Sequence, residues 1–155
     1  GQSVVKGCVN ADVFAVARTL KNCAVTILFV RGGRVLGQKT FFSVCDMDLS
    51  LADVAYNFIS QYYIASENIN TRLDRIIVDG EVGDKAWLQD VLSERISRNL
   101  KLIDCASRHY REWCQLASLN VKEQLQRKIS ANISVADSYK VLQSELELPW
   151  DLPEE

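Results

Sequence analysis

The stretch that decides the fold reads Ala24-Val25-Thr26-Ile27-Leu28-Phe29-Val30-Arg31-Gly32-Gly33-Arg34-Val35-Leu36. An apolar run meets two glycines and then a second run that continues to Val44. Glycine takes the positive φ that a tight hairpin needs, so Gly32-Gly33 reads as the turn between two antiparallel strands. Upstream, Val13 to Ala17 is a further strand-like run, set off by Thr19-Leu20-Lys21-Asn22. Val, Ile, Phe and Thr suit a pleated surface. The spacing predicts strands over about Asp12–Arg18, Cys23–Val30 and Arg34–Val44, joined as a meander.

Downstream the period changes. Ser50 is a good N-cap with Asp53 three residues on, and Leu51, Val54, Ala55, Phe58, Ile59 and Tyr62 recur at helical spacing, so a helix is predicted to about Ala65. Ser66 to Leu73 is loop-like. Ile76-Ile77-Val78, stopped by Asp79-Gly80, reads as a short strand buried on both faces. A second helix is predicted over Asp84–Ser97 with Trp87, Leu88, Val91, Leu92 and Ile96 inward, then a strand over Leu100–Cys105. A long helix over Ser107–Ile129 carries Tyr110, Trp113, Cys114, Ala117, Val121, Leu125 and Ile129 on one stripe. Ser134, with Asp137, is predicted to cap a last helix ending near Leu146, before Pro149 and Pro153.

The order β-β-β-α-β-α-β-α-α is an α/β pattern. Right-handed crossovers place the later strands parallel to the first and on its far side, giving a mixed five-stranded sheet of order 3-2-1-4-5 flanked by helices. That is the ribonuclease H-like topology, with a C-terminal helical extension. The expected organisation is a lead-in over 1–11, a degenerate ribonuclease H-like domain over 12–130, and a C-terminal helix and linker over 131–155.

Composition narrows the function. The chain has 155 residues, 48% hydrophobic and 25% charged, with net charge −2 and a pI near 5.5. This is an ordinary globular balance, and not the basic one of a dedicated nucleic-acid binder. The five cysteines show no Cys-x-x-Cys spacing and His109 is the only histidine, which argues against zinc. Reduced thiols in a cytoplasmic protein are expected. No apolar run spans a bilayer, so no membrane partner is expected. A start at Gly1-Gln2-Ser3 is read as a cut end.

The segments Asp12-Val13-Phe14-Ala15-Val16-Ala17-Arg18, Leu28 to Gly37, Phe41-Phe42, Phe58-Ile59-Ser60-Gln61-Tyr62-Tyr63, Leu116-Ala117 with Asn120, and Leu148-Pro149 together resemble the central region of the UvrC family. UvrC proteins are the nuclease subunits of the bacterial UvrABC nucleotide excision repair system. The resemblance covers essentially the whole chain. It implies an excised central domain that lacks the family's GIY-YIG module, UVR hairpin, catalytic ribonuclease H-like domain and helix-hairpin-helix motifs. The partners it implies are UvrB, damaged DNA and, within the same polypeptide, the UvrC nuclease domains. Magnesium or manganese is implied only for the catalytic domains, and no cofactor for this one.

Ribonuclease H-like nucleases place an aspartate in mid-strand one and a second acid at the end of strand four, which hold divalent metal at the scissile phosphate. Ala15 stands at the first position. Asp12, three residues away, faces the other side of the sheet. Asp79 stands at the second position, where it reads either as a metal ligand or as a turn former before Gly80. Asp84 reads as an N-cap, and Asp48 and Asp53 as helix-start residues. His109 reads as a surface histidine and Cys114 as core. The expectation is a non-catalytic domain that acts as a scaffold or contact surface. A metal-dependent nuclease active in its own right and a structural spacer remain the alternatives.

Phosphate contacts need Lys or Arg at the surface. The basic clusters are Arg31, Arg34 and Lys39; Arg95, Arg98 and Lys101; Arg108 and Arg111; and Lys122, Arg127 and Lys128. The DNA-binding candidates are Arg31, Arg34, Lys39, Arg108 and Arg111, with the Arg31–Arg34 turn foremost. The family pattern before Leu-Ala-x-x-Asn contains Pro-Arg-Gly, and Ala106-Ser107-Arg108 departs from it.

Overall fold

The computed structural model describes residues 9–65, 70–104 and 108–146. Five strands form one sheet: β1 (Ala11–Arg18), β2 (Asn22–Arg31), β3 (Arg34–Val44), β4 (Arg75–Asp79) and β5 (Lys101–Ile103). Their order is β3-β2-β1-β4-β5, with β1 antiparallel to β2 and parallel to β4, as the crossover rule requires. The hairpin turn has Gly32 at φ 59° and Gly33 at φ 77°. These are left-handed values that a side chain would strain.

Three helices cover the sheet. Helix α1 (Leu51–Ser60) runs on into a π-helical turn, Gln61–Ala65, and packs with α2 (Lys85–Ile96) on one face. Helix α3 (Arg111–Leu146), entered through a 3₁₀ turn Arg108–Tyr110, crosses the other. The alternation of β1 sorts its side chains. Phe14 and Val16 join the α1/α2 core, while Ala11, Val13, Ala15 and Ala17 pack with Trp113, Cys114, Ala117 and Val121 on α3. Small residues on this side let the long helix lie close to the sheet.

Several expectations need correction. Among the described residues no helix starts after residue 134, because α3 is one helix through residue 134 to Leu146; a serine in a helix interior has the same local sequence as one at a start. Trp87 is 52% exposed and Val91 only half-buried, since α2 buries the narrower stripe Leu88, Leu92 and Ile96. Asp84 occupies the N-cap position, but in left-handed backbone at φ 47° and without a side-chain cap bond. The last strand is shorter than expected. The lead-in before Val9, Ser66 to Ile69, Cys105 to Ser107 and the Leu148-Pro149 linker lie outside the described residues.

Candidate nucleic-acid interface

Because β1, β4 and β5 run together, the molecule has a lower end, where these strands start, and an upper end, where they stop. At the upper end the parallel register sets Ala15 directly beside Asp79. Ala15 is buried under α3 and Asp79 is exposed at the strand end. Both lie on the α3 side, next to Cys114, whose thiol is pushed up to about 12 by burial and by the Asp79 charge. So the two positions that the fold would use for paired acids do meet, and they present one carboxylate and one methyl group, beside the Cys114 thiol. Among the described residues, no group of three His, Cys, Asp or Glu is placed to hold a metal ion.

Asp12 points to the other face, as the alternation requires. It is buried, accepts a 2.5 Å hydrogen bond from the Tyr63 hydroxyl and lies 3.0 Å from Arg31 Nη1. Burial raises its pKa, against the opposing pull of Tyr63 and Arg31. Tyr63 is delivered by the π-helical turn, and burial first, then the Asp12 charge, holds its phenol well above its usual value. This is a structural triad that closes the core.

It also changes the reading of Arg31. Its guanidinium is not held out at the hairpin tip. Nη1 donates to the carbonyls of Ala11 (2.9 Å) and Val30 (2.7 Å) as well as pairing with Asp12. A buried carboxylate draws the nearest cation inward, because an unpaired buried charge is costly. Arg34, two residues beyond Gly32, remains exposed.

The lower end is organised by Asn10. Its side-chain oxygen accepts from Gly32 N (2.9 Å), its amide donates to Arg72 O (3.4 Å), its backbone oxygen accepts from Asp74 N and Arg75 N, and its backbone N–H donates to Asp74 Oδ2 (3.1 Å). One neutral residue thus ties the hairpin turn to the loop before β4. Arg98 extends the tie, donating to Thr71 O and pairing with Asp74 at 2.6 Å, and Lys101 N bonds to Asp74 O. Arg75 donates to the Tyr110 hydroxyl, which joins the start of α3 to the same end.

The result gathers charges that are scattered along the chain. Arg34, Arg72, Lys101, Arg108 and Arg111 are exposed here, and among the described residues none of them is in an ion pair. Of the sequence candidates, Arg34, Arg108 and Arg111 come to one end. Lys39 does not: it stands mid-β3 with Nζ 4.9 Å from the Phe41 ring. Lys122, Arg127 and Lys128 lie along α3, where Lys128 covers Phe42 and Arg127 pairs with Glu123. Arg72 and Arg75 were missed, because only the parallel pairing of β4 with β1 brings them to the hairpin. His109 is exposed in the 3₁₀ turn at this end.

Comparison with known proteins finds relatives along nearly the whole chain. A family model described as UvrC Ribonuclease H-like domain matches residues 10–128. The UvrABC system protein C of Coxiella burnetii (strain Dugway 5J108-111) is 28% identical over 148 residues, covering 96% of this chain and 24% of its own length. That of Pasteurella multocida (strain Pm70) is 26% identical over 139 residues, covering 90% and 23%. The chain therefore spans about a quarter of the length of the curated relatives it matches. Among solved structures, a chain of the PCNA:RNase HII complex from Archaeoglobus fulgidus aligns over 95% of this chain and 98% of its own, at 8% identity and a TM-score of 0.41, a loose likeness.

Proposed function

Because the chain belongs to the UvrC ribonuclease H-like domain family, we propose that it serves a nucleotide excision repair protein as a non-catalytic domain whose lower end contacts the phosphate backbone of damaged DNA. One observation carries the reading. Five exposed cations, Arg34, Arg72, Lys101, Arg108 and Arg111, stand at one end, where Asn10 ties the hairpin turn to the loop before β4, Lys101 N bonds to Asp74 O and Arg75 reaches Tyr110 at the start of α3. Phosphates accept such contacts without sequence readout, which suits a protein that must act wherever damage falls. The overall charge of −2 limits this to a local contact that supports other DNA-binding parts of a longer protein.

The non-catalytic part rests on Ala15. Metal-assisted phosphodiester hydrolysis needs carboxylates on both strands to hold the ion, and only Asp79 is offered. Magnesium or manganese then belongs to catalytic domains outside this chain. In the cytoplasmic UvrABC assembly the domain would hold those nuclease domains in place relative to UvrB and the DNA. Among the described residues no helix is long and apolar enough to cross a membrane.

The test is anisotropy of a labelled duplex at low salt, titrated against added salt. Wild type should bind, and each of Arg34→Glu, Arg108→Glu and Arg111→Glu should weaken binding and lower the salt slope by about 1. Lys39→Glu should change little. Absence of wild-type binding would favour the spacer reading. Supercoiled plasmid should stay intact with magnesium or manganese. Metal-dependent nicking abolished by Asp79→Ala would overturn the non-catalytic reading.

A further inference from the structure

The upper end carries a groove that the DNA reading does not use. Two hollows adjoin there. One, of about 380 Å³, is lined by Val16, Ala55, Val78, Asp79 and Glu81 among others. The other, of about 530 Å³, is lined by Val16, Ala17, Leu51, Leu125 and Ile129, with Lys122 on its α3 wall. They share Val16 and Leu51, so they form one trough across the end of β1 between α1 and α3.

Large apolar side chains stand at water around this end. Leu20 is 68% exposed, Val44 82%, Met47 60% and Leu51 49%. An apolar patch with a polar rim is the usual mark of a contact surface. The rim is acidic: Asp46, Asp48, Asp53 and Glu81, with Asp79 at the end of β4, are all exposed, and among the described residues none is in an ion pair. Arg18 does not neutralise it by direct pairing. Its guanidinium is engaged by the carbonyls of Thr19, Leu20, Asp46 and Leu49, which pins the connector that carries the acids.

The trough also limits the backbone of its occupant. β1 lies between β2 and β4, so it offers no free edge, and both walls are helices. A bound segment would find no strand to pair with and must satisfy its own N–H and C=O groups. A helix laid in a groove does that, reading the surface through an apolar stripe. We propose that this trough docks a basic amphipathic helix of a partner protein, with its apolar stripe on Val16, Leu51, Leu125 and Ile129 and its lysines or arginines over Asp48, Asp53, Asp79 and Glu81.

The experiment uses the full 155-residue chain and a labelled peptide of about 14 residues, roughly four helical turns, with a leucine stripe and flanking lysines. Controls are a scrambled peptide of the same composition and one with Glu for every Lys. The amphipathic Leu/Lys peptide should bind saturably, and both controls at least about tenfold more weakly. Leu51→Gln, at an exposed position, and the pair Asp79→Asn with Glu81→Gln should each weaken binding about tenfold. Arg34→Glu, at the opposite end, should leave it unchanged and so separate this site from the DNA contact. The proposal is overturned by equal binding of the scrambled peptide, by indifference to the groove variants, by absence of binding, or by self-association of the protein through the same residues.

Discussion

β1 ends in two hubs that solve the same problem, one with a neutral side chain and one with a cation. Below the strand, Asn10 collects Gly32, Arg72, Asp74 and Arg75 with a neutral amide and its own backbone. Above it, Arg18 collects the carbonyls of Thr19, Leu20, Asp46 and Leu49 with a cation. At the lower end the arginines that surround the neutral hub are left to face water. At the upper end the local cation is turned onto carbonyl oxygens, and the acids around it stay exposed. A small change in which residue ties the loops thus leaves one end basic and the other acidic, in a chain whose net charge is only −2.

The sharpest way to break this comparison is to place an acid beside Asp79 at the upper end. Ala15 is buried and in register with Asp79, so Ala15→Asp buries a second carboxylate beside the first. We expect a loss of about 3–5 kcal/mol in urea unfolding, the usual cost of an uncompensated buried charge. Magnesium should restore little of it. Recovery of stability with magnesium, together with plasmid nicking, would show that one methyl group separates the acidic end from a working nuclease site.

A smaller effect sits on the opposite face of the same strand. Burial raises the Asp12 pKa above its ordinary value, so the folded state holds this proton more tightly than the unfolded chain does. The sign follows: the contribution is fully present below the unfolded value of 3.8 and is lost as pH rises through the raised folded value. Asp12→Asn should remove this dependence, so wild-type stability should fall relative to the variant as pH climbs from 4. A wild type that gains on the variant with rising pH would mean that the Arg31 pair outweighs burial.

These two strand positions show what could be read in advance. The glycines at 32 and 33 and the lengths of the apolar runs made the sheet order legible, because turn chemistry and crossover handedness are local rules. The place of Ala15 beside Asp79 was legible for the same reason: it is a single position on a strand whose alternation is known. The lower end was not. Arg72 and Arg75 reach Asn10 only through the pairing of β4 with β1, and a lone asparagine before a strand carries no sign that it ties the hairpin turn to the loop before β4. Arg31 was misread because hairpin position suggests exposure, while a buried aspartate 19 residues earlier turns it inward. Trp87 was misread because α2 needs only Leu88, Leu92 and Ile96 to cover its part of the sheet.

The hubs themselves give the next effect down. Arg18→Ala removes charge-assisted bonds to four carbonyls and should cost about 2 kcal/mol; Asn10→Ala removes neutral bonds and should cost about 1 kcal/mol. The functional readouts should divide. Asn10→Ala should weaken duplex binding and spare the helical peptide, and Arg18→Ala should do the reverse. A variant that harms both equally would show that the ends are coupled through β1.

The smallest effect distinguishes two helix starts at the upper end. Ser50 caps α1 in extended backbone, its Oγ accepting from Asp53 N at 3.1 Å, so Ser50→Ala should cost about 1 kcal/mol. Asp84 precedes α2 at φ 47° with no cap bond, so removing its side chain costs no hydrogen bond and relieves a left-handed strain. Asp84→Gly should therefore change stability by no more than about 0.5 kcal/mol, because glycine's gain in backbone freedom when unfolded offsets the relief. Only the Ser50 change should reach the trough, since it frays the turn that presents Leu51 and Asp53. Peptide binding that weakens with Ser50→Ala and not with Asp84→Gly would tie the trough to the capped start of α1, and not merely to the acidity of the upper end.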